Sequence, residues 1–161
     1  MRISRKAAAI VAAVLIGLAL LGSAGAAFAS SSGSAAHDGG HVLRFRTIGV
    51  SMTVNDAGRG GPGNVVALLF DIRTQSGAEA GKGYISCTVI TTDEQLCHAG
   101  FVLAGGQIEA QAAIPLAAMS FPAAIIGGTG IYEGVTGQVD NVVVAPGVID
   151  RTFRLIRPGQ G

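Results

Sequence analysis

Residues 125–140 have the sequence Ile-Ile-Gly-Gly-Thr-Gly-Ile-Tyr-Glu-Gly-Val-Thr-Gly-Gln-Val-Asp, with five glycines between two apolar runs that resemble β-strands. Glycine tolerates positive φ and close backbone approach, so such a cluster between strands predicts a tight corner of fixed shape. A phosphate-binding loop is not indicated, because the glycines do not follow the Gly-x-Gly-x-x-Gly spacing. In addition, residues 138–145, which follow the cluster, are strand-like, whereas a dinucleotide-binding loop opens a helix.

Within this stretch, residues 127–139 resemble the signature of the allene oxide cyclase and dirigent-protein barrel superfamily. The matching residues are Gly-Gly-Thr-Gly, an aromatic position occupied by Tyr132, then Glu-Gly and Gly-Gln-Val. The likeness is specific over these thirteen residues and extends less closely from His41 to Ile156. The resemblance implies a closed β-barrel whose interior binds a small molecule.

From His41 onward the apolar side chains alternate with a period of two, which is the period of β-strands. The pattern predicts eight strands, at residues 41–54, 64–74, 82–91, 95–103, 107–116, 121–126, 138–145 and 148–156. Short strands at ~8–12-residue spacing predict a sandwich or a barrel, and eight strands suffice for a closed barrel that holds side chains or one small ligand. We therefore expect an all-β protein: an eight-stranded antiparallel closed barrel of the calycin-like kind, preceded by a signal peptide.

The amino-terminal segment has the features of a secretory signal peptide. Residues 1–6 include three basic side chains, residues 7–21 are apolar apart from one glycine, and Ala27-Phe-Ala29 fits a cleavage site. The apolar run is shorter than the ~20 residues of a spanning helix, although an uncleaved anchor is the alternative. We expect a signal peptide at 1–29, a flexible leader at 30–40, the barrel at 41–157, a tail at 158–161, and a secreted mature protein.

Composition narrows the range of partners. Cleavage would remove three of the eleven basic side chains, leaving eight against ten acidic ones, so neither a basic patch nor nucleic-acid binding is expected. Charged residues make up 13% of the chain, against a usual ~25%, which favours strands with two apolar faces or a homo-oligomer, dimer or trimer. We expect no membrane contact after cleavage and no cofactor. The His37-Asp38-Gly-Gly-His41 segment is more typical of solvated sequence than of a metal site, so no metal is expected.

The two cysteines provide a separate test of the strand arrangement. Cys87 and Cys97 lie on consecutive predicted strands, equidistant from Thr92 in the turn between them. In a hairpin centred there they would face each other within disulfide range, and export favours oxidation. A metal pair lacks further soft ligands, while a catalytic thiol would need a free cysteine and a nearby base. We predict a Cys87–Cys97 disulfide whose strands turn the apolar face inward.

The predicted inner face is rich in alanine, so we expect an apolar cavity inside the barrel. The residues expected to line this ligand pocket are Phe101, Ala110, Tyr132 and Phe153. Arg151 and Asn141 alternate in phase with apolar neighbours, which makes them candidate catalytic residues, since a buried polar group needs a partner. The alternative is that both lie near the rim of the barrel and reach water.

The resemblance also suggests what such a pocket would do. Allene oxide cyclases bind a fatty-acid epoxide in a dry barrel and steer its cyclisation, and dirigent proteins guide the radical coupling of phenols. Asp71 falls near a second-strand asparagine of the cyclases and is a further catalytic candidate, and Cys87 falls at a strand cysteine position of the cyclases. The first strand of this chain lacks the acidic residue that the cyclases have there. Thr136 stands where many dirigent-like sequences have arginine.

Hydrolytic equipment such as a Gly-x-Ser-x-Gly elbow is missing from the sequence. The predicted function is therefore the binding of a small apolar molecule by a secreted barrel, with cofactor-free cyclisation, an isomerase reaction, or phenol coupling as the associated chemistry. The alternative is a non-catalytic extracellular binding or structural module that forms homo-oligomers.

Overall fold

The computed structural model describes residues 41–55 and 61–157. The predicted signal peptide, the leader with His37 and Asp38, and the tail at 158–161 lie outside the described residues. Within the described part, no helix is long and apolar enough to cross a membrane.

Eight β-strands and one short 3₁₀ helix make up the described structure. The strands are β1 (His41–Asn55), β2 (Val65–Arg73), β3 (Glu79–Val89), β4 (Glu94–Leu103), β5 (Gly106–Pro115), β6 (Ser120–Gly128), β7 (Thr136–Ala145) and β8 (Val148–Ile156), and the 3₁₀ helix is Gly130–Tyr132. Each strand pairs antiparallel with the next in the chain, and β8 pairs with β1 to close the barrel. The prediction of an eight-stranded antiparallel closed barrel is confirmed.

The connections lie alternately at the two ends of the barrel. We call one end the corner end, where residues 74–78, 104–105 and 129–135 connect the strands. The opposite end is the mouth end, which includes the connections 90–93, 116–119 and 146–147.

Strand β1 is shared between two neighbours and changes register along its length. Its first half pairs with β8, its second half pairs with β2, and the register shifts between Gly49 and Ser51. Such a bulge reverses which side chains face inward beyond it. Met52 pairs with Leu68 as a result, and both side chains lie on the inner face near the mouth end.

The inner faces of β4 and β5 form much of the core, as the alternation predicts. Cys97, Ala99, Phe101 and Leu103 are buried along β4. On β5, buried Ile108, Ala110 and Ile114 alternate with more exposed positions, and the intervening Gln107, Glu109 and Gln111 lie outside. The inner faces of these two strands are therefore apolar, whereas the outer face is polar on β5 and mixed on β4, where Leu96 and Val102 are exposed.

The glycine cluster forms a folded corner that covers the corner end, which confirms the prediction of a tight turn. Gly130 has φ of 61°, and a side chain there would collide with the carbonyl oxygen of Gly105. The Ile131 amide donates a hydrogen bond to the Gly105 oxygen at 2.9 Å, which ties the corner to the β4–β5 turn. Tyr132 and Val135 are buried beneath it. The short 3₁₀ helix within the corner was not predicted from the sequence.

Cys87 and Cys97 are direct cross-strand partners on β3 and β4. Their Cα atoms are 4.0 Å apart, and the two sulfur atoms are at disulfide bonding distance. Both side chains are buried with Ile114 in a small apolar cluster near the mouth end. The hairpin pairing predicted from the cysteine spacing is confirmed.

Candidate functional site

A column of phenylalanine rings fills the half of the barrel nearest the corner end. Phe101 and Phe153 meet edge to face with centroids 4.9 Å apart, Phe45 meets Phe153 at 6.0 Å, and Phe70 meets Phe101 at 5.7 Å. Gly83 leaves room for the Phe70 ring, since a side chain at Gly83 would overlap it. The interior is therefore more completely filled than the alanine-rich pattern predicted, because the aromatic rings occupy the volume that the small residues leave.

A cavity remains between this column and the disulfide. The space, including the part open to solvent, is about 250 Å³, but the centre of a water molecule can occupy only about 10 Å³ of it, close to the minimum for one water. Small side chains make much of its wall, namely Ala99, Ala110, Ala112 and Ala123. Phe101, Phe121, Asn141 and Arg151 are also part of the lining.

The mouth end continues this apolar lining toward solvent. Met52 and Val54 lie on the inner face of β1 yet are 46% and 44% exposed. Leu68, Ile85 and Phe121 are half-buried on the inner faces of their own strands. The corner end is covered by Tyr132 and Val135, and the described inner-face side chains near the mouth end are apolar and partly exposed, so a small molecule would reach the cavity from the mouth end.

Three polar side chains form a cluster inside the otherwise apolar barrel. Arg151 and Asn141 are direct cross-strand partners on β8 and β7, and Arg151 Nη1 donates a hydrogen bond to Asn141 Oδ1. Arg151 Nε donates to Thr47 Oγ1 at 3.1 Å. Asn141 Nδ2 donates to the carbonyl oxygen of Phe121 at 3.0 Å. All three polar side chains are buried, with Arg151 only 4% exposed.

The guanidinium of Arg151 lies in an unusual electrostatic environment. Its Cζ is 5.3 Å from the centroid of the Phe70 ring and 5.1 Å from that of Phe101, and such contacts attract a cation. Burial lowers the pKa of Arg151 to about 10, since removal from water disfavours the charged form. Among the described residues, no carboxylate forms an ion pair with Arg151.

A second polar cluster lies on the outer face of β3, β4 and β5. Tyr84 OH donates to Glu109 Oε1 at 3.2 Å, His98 Nε2 lies 3.0 Å from Glu109 Oε2, and Gln107 also donates to Glu109. Burial, followed by the negative charge of Glu109, raises the pKa of Tyr84. The cluster faces away from the cavity, and the carboxylate of Glu109 is held there by polar side chains on the outer face of the barrel.

Four predicted site residues come together at the cavity. Arg151 and Asn141 line it as a hydrogen-bonded pair, and Phe101 and Ala110 form part of its apolar wall. Arg151 and Asn141 lie inside the barrel rather than at its rim, since both are almost fully buried.

The other three predicted site residues lie elsewhere. Phe153 belongs to the aromatic column and does not line the cavity. Tyr132 is buried at the corner end, where it packs under the glycine corner. Asp71 lies on the outer face of β2, because the inward positions are those of Phe70 and Ile72, and its carboxylate is 3.7 Å from Arg73. Its placement puts it outside the candidate site.

Thr47 and Phe121 belong to the site but were not singled out from the sequence. Thr47 alternates in phase with Leu43 and Phe45 on β1, so the criterion that selected Arg151 would also have found it. Phe121 contributes a backbone carbonyl, which no sequence pattern reveals. Among the described residues, no three metal-ligating side chains cluster together.

Several solved protein structures superpose on this barrel. A pyocyanin demethylase superposes with a TM-score of 0.66 at 20% identity, covering 72% of this chain and 100% of that chain. The pterocarpan synthase dirigent protein PsPTS1 gives 0.62 at 16% identity, covering 74% and 96%. The Diels Alderase AbmU from Streptomyces koyangensis gives 0.60 at 16% identity, covering 77% and 73%.

No protein-family profile matches the sequence, and no curated protein matches it significantly. The structural likeness at these low identities establishes the fold. The chain has the allene oxide cyclase-like barrel fold that dirigent proteins and Diels-Alderase barrels share. The barrel fold that the glycine signature implied is therefore confirmed.

Proposed function

We propose that this protein is an exported barrel that binds a small, predominantly apolar molecule through the mouth end. The observation that carries the proposal is a buried Arg151–Asn141 pair in the wall of an alanine-lined cavity that continues into an exposed apolar mouth. Polar groups placed sparingly in an apolar concave site are typical of ligand pockets, where they orient the ligand. The Diels Alderase and dirigent structures of the same fold support small-molecule chemistry in such a barrel.

The ligand would displace side chains as it binds, because the part of the cavity that can hold a solvent molecule has room for only about one water. We expect the partly exposed inner-face side chains to move, namely Met52, Val54 and Leu68, because they are less tightly packed than the buried core. A molecule held in this way would be shielded from water and restricted in conformation, and these are the two effects by which a barrel without a cofactor can steer cyclisation or coupling.

Binding of the lipophilic dye Nile red tests this proposal, with a matched pair of variants on β5. Ala112 lines the cavity, whereas the adjacent Ala113 is exposed on the outer face. We expect dye fluorescence to rise with the wild-type protein and with Ala113→Phe, and to be lost with Ala112→Phe, since a ring at position 112 would occupy the cavity. Equal fluorescence for the two variants, or none with folded wild type, would refute a pocket at this site.

Export is the second part of the proposal. It is supported by the predicted signal peptide and by the paired cysteines, since disulfides persist in oxidising compartments. Amino-terminal sequencing of protein recovered from the culture medium should begin at Ser30, and an intact Met1 in the cell fraction would contradict cleavage.

A non-catalytic extracellular module that forms homo-oligomers is the second candidate function. It is favoured by large apolar side chains exposed on the outer face of the barrel, namely Leu69, Leu96, Val102, Ile126 and Val142. Sedimentation equilibrium would give a dimer or a trimer in this case. Together with absent Nile red binding, that result would favour the module over the ligand-binding barrel.

A further inference from the structure

The charge of Arg151 is not balanced by the protein around it. Its two recorded hydrogen-bond acceptors, Thr47 Oγ1 and Asn141 Oδ1, are both neutral. The described carboxylates with ion-pair partners, including Asp140 and Asp150, pair with cations on the outer face. Within the described part of the chain, Arg151 therefore stands as a buried cation without an anion, an arrangement that is costly unless something else supplies the charge.

The guanidinium also has donors to spare. Arginine carries five N–H donors in a planar fork, and the structure records hydrogen bonds from Nε and Nη1. No hydrogen bond from Nη2 is recorded among the described residues. Because Arg151 lines the cavity, these remaining donors are available to a molecule that enters it.

The neighbours of Arg151 favour an anionic ligand. The Phe70 and Phe101 rings and the alanine wall surround the guanidinium with apolar groups. In such a setting an oxyanion that accepts one or two N–H bonds gains more than a neutral acceptor does, because charge-assisted hydrogen bonds are the stronger ones. Asn141 holds Nη1 in place, so the fork is oriented before the ligand arrives.

We infer that the ligand of this barrel is a small organic acid, whose deprotonated oxygen pairs with Arg151 while its apolar remainder lies toward the mouth end. This inference rests on the proposed pocket. Two chemical sources share the required group: a carboxylate, and an acidic enol whose anion is spread over neighbouring oxygens. Both would bring the missing negative charge into the barrel.

Displacement of Nile red by matched acid and neutral compounds tests this inference. Octanoate is compared with octan-1-ol for the carboxylate, and 4-hydroxycoumarin with coumarin for the acidic enol, all at pH 7 and low salt. For wild type we expect the acid of at least one pair to displace the dye at a concentration lower by about tenfold or more than its neutral partner. Preference within the first pair identifies a carboxylate, and preference within the second identifies an enol.

Substitutions on β8 locate the preference. Binding of the same compounds by isothermal titration calorimetry, which does not depend on the dye, should show that Arg151→Met loses the preference for the acid. Arg154→Met should retain it, because Arg154 lies on the outer face and pairs with Asp140. Equal displacement by acid and neutral compounds with wild type would overturn the inference, as would a preference for the acid that survives in a folded Arg151→Met protein. If Nile red itself fails to bind wild type, the proposed pocket is wrong, and that result is separate from the acid comparison.

Discussion

Replacing the buried Arg151–Asn141 pair by apolar residues should stabilise the barrel, although breaking the pair should destabilise it. Burial lowers the pKa of Arg151 to about 10. Against an ordinary value of about 12.5, this fall corresponds to roughly 3 kcal/mol, since each pKa unit is worth about 1.4 kcal/mol. The folded state bears this cost at neutral pH, where the guanidinium is charged.

Asn141→Leu alone leaves that charge in place and removes the acceptor of Arg151 Nη1. Hydrogen bonds to charged groups contribute about 1.5–3 kcal/mol, so we expect a loss of about 2–4 kcal/mol. The double variant Arg151→Met/Asn141→Leu removes the charge together with its partner. Replacement of buried charged networks by apolar residues of similar volume is often neutral or stabilising by about 1–4 kcal/mol, and we expect the double variant to match or exceed wild type.

Urea unfolding followed by circular dichroism measures the free energy of unfolding of wild type, both single variants and the double variant. Unchanged m-values would show that the same surface is exposed in each case. The decisive quantity is the difference in the free energy of unfolding between the double variant and Asn141→Leu, and we expect the double variant to be more stable by several kcal/mol. A double variant less stable than wild type by more than about 1 kcal/mol would refute the reasoning, because the cation would then be contributing to the fold.

Three further predictions concern the rest of the barrel. Gly130→Ala should lower the stability of the barrel by roughly 2 kcal/mol or more, because Gly130 has positive φ and an added Cβ would collide with Gly105. The control Gly61→Ala, whose added Cβ meets nothing within 4 Å, should be near neutral in thermal unfolding. Similar losses of stability in the two variants would contradict a rigid corner. Reducing the disulfide should lower the free energy of unfolding by roughly 2–3 kcal/mol, given its short loop, and an unchanged urea midpoint in dithiothreitol would contradict this. The hydrogen bonds from Arg46 hold the pKa of Asp150 below its usual range, so Asp150→Asn should slightly lower the melting temperature above about pH 4, a difference lost as the pH falls through the lowered pKa; an equal difference at pH 2 would exclude this linkage.

Much of the barrel could be predicted because its strands alternate cleanly. Along β4 and β5, apolar side chains occur at every second position, and the observed inner and outer faces follow that order. The cysteine spacing fixed the register of one hairpin, since Cys87 and Cys97 can meet in only one pairing. The corner was predictable because glycines occur where φ is positive or where backbones approach closely.

The candidate site was predictable only in part, because it depends on register and on three-dimensional filling. The phase of Arg151 and Asn141 indicated that they face inward, but their direct pairing follows from β7–β8 register, which includes a shift between Val143 and Ala145. How completely the interior is filled depends on ring positions such as that of Phe70 over Gly83, and no sequence pattern states a ring orientation. Asp71 was suggested by resemblance alone, and the alternation of β2 places it outside.

Among the described residues, the corner end of the barrel is covered, so a molecule bound in the proposed pocket would enter and leave at the mouth end, past Met52 and Val54. A second molecule could then bind only after the first had left. Loops at the mouth end would then determine both the rate of ligand exchange and the choice of ligand. Substitutions in the glycine corner would change the stability of the barrel without changing the exchange rate.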